Sequence, residues 1–155
     1  MIRKSALAIL VALASVLLVG CEQVLEHTGN VSIRRDGSDL LIATCDPLTL
    51  EEFVVSARSR SNPFAKSVRL VTLFGSGYFE SGHIYRVGDE VAGMKFVDSN
   101  AVDLDDLRDI AVEAGSPSPP YNPLFREWDL EKVSIPDNAW LMPNGSTASE
   151  PCPQN

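Results

Sequence analysis

Turn-forming residues recur about every ten positions from Val31 onward, too closely for helices of ordinary length and at the spacing of a β-sandwich or barrel. Val31-Ser32-Ile33-Arg34 alternates apolar and polar as a half-buried strand does, and Leu40 to Cys45 is a second apolar run. Asp36-Gly37-Ser38-Asp39 between them is turn chemistry, so the two runs predict a hairpin. Asp46-Pro47 ends it, because proline has no N–H to give to a ladder. Phe53 to Ala57 reads as a third strand, and Ser59 to Lys66 as a loop. Ser67 to Phe74 is the strongest strand: Val68, Leu70, Thr72 and Phe74 alternate with Arg69, Val71 and Leu73. Both of its faces are largely apolar, which predicts an interior position. Gly75-Ser76-Gly77 is expected to break it. Tyr78 to Tyr85 predicts a further strand bent at Ser81-Gly82, Val87-Gly88-Asp89 a turn, and Val91 to Val97 another strand.

Residues 103 to 115 read two ways. Leu104, Leu107, Ile110, Ala111 and Ala114 have helical spacing, with Asp103 and Gly115 as caps, whereas Ile110, Val112 and Ala114 alternate as in a strand. A sandwich needs the partner strand, so a turn at 103–107 followed by a strand at 108–114 is the expectation. Ser116 to Pro123 carries four prolines and reads as an extended loop. Leu124 to Trp128 and Lys132 to Ile135 are apolar enough to return to the sheet, and Met142-Pro143-Asn144-Gly145 after Trp140 is a tight turn. Trp128 and Trp140 are expected in the core or against a disulfide.

The N-terminus has a different grammar. Arg3 and Lys4 precede an apolar run from Ala6 to Val19, too short to span a bilayer and laid out as a secretory signal. Leu18-Val19-Gly20-Cys21 then resembles the lipobox of bacterial lipoproteins. The resemblance implies cleavage before Cys21 and acylation of its thiol. On this reading residues 1–20 are a signal peptide, 21–30 a tether and 31–155 the folded domain. Two or more acyl chains give stable anchoring at about 0.8 kcal/mol per buried CH₂. The expected partner is therefore membrane lipid through Cys21, on the extracytoplasmic face of the cell membrane.

With Cys21 assigned to lipid, Cys45 and Cys152 remain, and two cysteines in an exported chain predict one disulfide. Closing a loop of roughly 100 residues is worth about 4.7 kcal/mol in the chain-entropy model. The net charge is -8, and loss of Arg3 and Lys4 leaves the mature chain more acidic still. That balance argues against nucleic acid, whose phosphates require clustered Lys and Arg. Arg58, Arg60, Lys66 and Arg69 surround one loop, where they balance nearby acids.

The chain's end, Asp137 to Gly145 followed by Pro151-Cys152-Pro153, together with the hairpin Val31 to Cys45, resembles small lipoproteins of actinobacteria. The resemblance implies a β-rich exported domain and carries no activity with it.

Chemistry-bearing constellations are few. The histidines are His27, in the tether, and His83, two residues after Ser81 and without a nucleophile elbow. Two histidines and a disulfide pair do not make a zinc site. Asp98, Asp103, Asp105, Asp106 and Asp109 are the densest acids, yet Val102 stands at a ligand position and Asp103 where an EF-hand needs glycine. Tyr78, Phe79, Tyr85 and Tyr121 suit either a binding surface or a core, with Phe79 favoured for the core. The expectation is an all-β, small antiparallel sandwich of Ig-like type with one disulfide, acting as a non-enzymatic binding or envelope-associated domain that needs no cofactor and can contact another envelope protein. The alternatives are a small-solute or calcium binder using the acidic segment, and a cell-envelope hydrolase.

Overall fold

A computed structural model describes residues 29–62, 64–101, 103–115 and 124–153. Residues 1–28, with the predicted leader, Cys21 and His27, and the proline-rich segment with Tyr121 lie outside them. Ten strands follow in chain order: β1 (Val31–Asp36), β2 (Asp39–Thr44), β3 (Leu48–Ser59), β4 (Val68–Phe79), β5 (His83–Arg86), β6 (Met94–Ser99), β7 (Leu107–Gly115), β8 (Leu124–Asp129), β9 (Trp140–Leu141) and β10 (Thr147–Ala148). A single 3₁₀ turn, Leu104–Asp106, precedes β7. Among the described residues no helix is long and apolar enough to cross a membrane.

The strands form two antiparallel sheets, ordered β10-β9-β1-β2-β5 and β6-β4-β3-β7-β8. Ile33, Ile42, Tyr85 and Leu141 from the first sheet meet Phe53, Val55, Leu73, Phe79, Ile110 and Val112 from the second in one core. Phe53 sits at its centre, edge-on to Phe79 at 5.6 Å and to Tyr85 at 5.3 Å. The protein is thus an all-β, antiparallel sandwich closed by one disulfide.

The predicted opening hairpin is present, with Asp36 opposite Asp39 and Gly37 in the left-handed conformation at φ 63. The turn and strand expected across 103–114 are also found, as the 3₁₀ turn and β7. Asp103 caps that turn through its carboxylate, which accepts from the Asp105 N–H.

Five elements differ from expectation, the first being the strand expected at Val91 to Val97, which begins only at Met94, after a turn closed by the Met94 N–H on Val91 O, and runs to Ser99. β3 starts at Leu48 and runs twelve residues. Its inward set is Leu48 and Leu50, then Phe53, Val55 and Ala57, and the register shift between Leu50 and Glu52 changes the phase of the alternation. β4 does not break at Gly75-Ser76-Gly77 but continues to Phe79. A Cβ on Gly75 would lie 2.3 Å from the Gly93 carbonyl oxygen, so this glycine admits close backbone approach, sealed by the Ser76 N–H donating to Gly93 O. The bend at Ser81-Gly82 is where the chain leaves the second sheet for the first, so the expected Tyr78–Tyr85 strand is divided between β4 and β5. Lys132 to Ile135 is not a strand. Asp129 turns the chain by accepting from the Lys132 and Val133 N–H groups, and Val133 and Ile135 pack on the core without a ladder.

Candidate functional site

Three places gather polar chemistry: the disulfide end, the acidic turn at the opposite end, and the outer face of the second sheet.

At the disulfide end the C-terminal segment turns back after β10 and crosses β1, where the Ser32 hydroxyl donates to the Pro151 carbonyl at 2.7 Å. It ends on Cys45, just past β2, through the predicted Cys45–Cys152 bond, with Cα atoms 5.3 Å apart across a separation of 107 residues. The chain enters the fold at this same end: Cys45 N–H donates to Asn30 O, and the Arg126 guanidinium donates to Gly29 O. An open depression of about 670 Å³ lies beside the disulfide, lined in part by Asn30, Asp46, Asn144 and Ser146. Ser81 and His83 also lie here but do not form a nucleophile–base pair. The Ser81 hydroxyl donates to Cys45 O, and the His83 ring stacks on Phe79 at 4.3 Å.

Trp140 and Trp128 occupy different surroundings. Trp128 is in the core and its indole N–H donates to Met142 O. Trp140 lies on the outer face of the first sheet, 2 % exposed, packed with Leu41 and Ala43 and roofed by the Arg34 guanidinium 4.9 Å from its ring.

In the acidic turn the carboxylates hold the fold. Asp105 pairs with Arg35 of β1, which joins the two sheets. Asp106 accepts from the Ser59 and Ser61 hydroxyls and from the Ser61 N–H. Asp109, nearly buried, pairs with Arg58 at 2.7 Å, and Arg58 reaches Glu127 as well. These hydrogen bonds favour the charged forms, so Asp105, held by Arg35, and Asp106, held by the two serines, lie below the ordinary carboxylate range. Among the described residues no three His, Cys, Asp or Glu side chains are grouped to hold a metal ion. Of the basic residues singled out, Arg58 is thus engaged by acids, and Arg60 donates to the Leu130 carbonyl.

The outer face of the second sheet is a surface that sequence reasoning missed. Val54 lies opposite Thr72 on one side and Glu113 on the other, and Ser56 opposite Arg69. Val54, Ser56, Arg69 and Glu113, with Glu52 and Phe125, line a shallow depression of about 570 Å³. An apolar floor with two carboxylates and one guanidinium suits binding of a polar segment. Its described lining holds no histidine or cysteine for nucleophilic or acid–base work at neutral pH. The alternation Glu52, Val54, Ser56 is the signal that could have found it, and the bulge ahead of Glu52 obscures that signal. Tyr78 and Phe74 stand exposed on the same sheet, whereas Phe79 and Tyr85 are core residues. In comparison with known proteins, the chain matches no family model, and no curated protein or solved structure matches it.

Proposed function

We propose that the protein is a lipid-anchored, extracytoplasmic lipoprotein whose sandwich serves as a non-enzymatic binding or accessory domain. The observation that carries the reading is the use of the three cysteines. Cys45 and Cys152 consume each other, a pairing that belongs to an oxidising compartment, and this leaves Cys21, at the end of the lipobox-like tetrapeptide, as the remaining thiol. The tether reaches the sandwich at the disulfide end. The 36–39 turn and the acidic turn, at the other end of the strands, then point away from the bilayer. Binding rather than catalysis is favoured by surfaces that are open and shallow, with carboxylates already engaged by arginine and serine.

Membrane fractionation and mass spectrometry of the mature chain test this. The expected result is a diacylglyceryl-modified Cys21 in the membrane fraction and release of the Cys21→Ala variant. Unmodified Cys21, or equal release of both chains, overturns the anchor. Cross-linking in intact cells then identifies a partner that depends on Cys21.

A further inference from the structure

Five of the seven exposed large apolar side chains among the described residues lie on two adjacent strands: Val68, Phe74 and Tyr78 on β4, and Phe96 and Val97 on β6. β6 is an edge strand, and none of its six residues is buried. An apolar edge presents unpaired backbone N–H and C=O groups and is a template for another strand.

Charge and register point to the partner. Along the β4–β6 ladder Lys95 lies opposite Phe74, Phe96 opposite Leu73, and Asp98 opposite Thr72, with an extra residue, Val97, at the register shift. Phe74 and Thr72 are two apart on β4 and share its outer face, so Lys95 and Asp98 share a face as well. Three residues apart on a regular strand they would point oppositely; the bulge brings them into phase. Neither forms an ion pair with a described residue. When a second copy of β6 is laid antiparallel along the first, Lys95 of each faces Asp98 of the other on one face, and Phe96-Val97 meet at the two-fold axis. A lysine and a bulge normally deter indiscriminate edge pairing. Here they leave one complementary strand, which is the same strand in a second molecule, as an isologous interface demands.

We infer that the protein forms a two-fold dimer by antiparallel pairing of β6 with β6 of a second copy, joining the two second sheets into one. The inference is independent of lipid attachment and concerns the sandwich itself.

Sedimentation velocity of the full chain in excess, density-matched detergent tests it, with Lys95→Asp, Asp98→Lys and the double exchange as variants. Each single reversal sets like charges against each other twice and is expected to weaken dimerisation by about tenfold, equivalent to 1.4 kcal/mol. The double exchange restores complementarity and is expected to recover the dimer. Both positions are solvent-exposed, so near-ultraviolet circular dichroism should show all variants folded. A wild-type chain that stays monomeric over the concentration range overturns the inference. So does a dimer indifferent to the single reversals, or one that the double exchange fails to rescue.

Discussion

On the outer face of the first sheet, Trp140 is 2 % exposed between Leu41, Ala43 and Arg34, while on the outer face of the second sheet Phe74 is 60 % exposed. The first face is finished from within the chain. β10 extends the sheet beside Trp140, the segment after it crosses Ser32, and Cys152 fastens it to Cys45. The second face receives no such segment from the described residues, and its edge strand β6 has no buried residue. A sandwich has two outer faces to solvate, and this one spends its C-terminus on only one of them. The difference places the chain's own packing on the first sheet's exterior and leaves apolar side chains of the second exposed among the described residues.

The largest test removes the fastener. Cys45→Ala with Cys152→Ala is expected to lower unfolding free energy by up to about 4.7 kcal/mol, read from urea midpoints at constant m-value. A loss below about 1 kcal/mol would mean that the terminal segment holds its place without the bond. A smaller test contrasts the faces directly. Trp140→Ala is expected to cost about 3 kcal/mol, and Phe74→Ala no more than about 0.5 kcal/mol, in the same denaturation series. Equal costs would abolish the distinction between the two exteriors.

The smallest expected effect lies at the seam between the sheets, where Arg35 of β1 holds Asp105 and two serines hold Asp106. Both carboxylates have folded pKa values below their unfolded ones, so their contribution is fully present above the ordinary aspartate value and is lost as pH falls through the folded values. Stability should therefore be flat near neutrality and decline below about pH 4. Asp106→Asn should flatten part of that decline, and an unchanged acid limb in this variant would assign the decline to other groups.

Much of this fold was legible in the residues. The hairpin around Gly37, the 3₁₀ turn with β7, and the pairing of Cys45 with Cys152 all follow from local chemistry or from counting cysteines. What escaped depends on neighbours distant in sequence. The register shift between Leu50 and Glu52 hides the length of β3, because there the inward set changes phase from Leu48 and Leu50 to Phe53, Val55 and Ala57. Gly75 looks like a strand breaker until Gly93 is known to lie against it. Lys132 to Ile135 is apolar enough for a strand, but Asp129 commits its first N–H groups to a turn. The depression over Val54 is a property of three paired strands, and no single segment announces it.

The bond between Cys45 and Cys152 also makes a covalent ring that runs through most of both sheets. Among the described residues the most accessible large apolar side chain is Phe64, 97 % exposed in the loop between β3 and β4, where a protease would find it first. One cut beside Phe64 opens the ring but detaches nothing, since both pieces stay joined through the sulfurs and through the interleaved strands. A nicked molecule keeps its core and both of its exteriors, and its two pieces stay covalently joined until the disulfide is reduced or the ring is cut again.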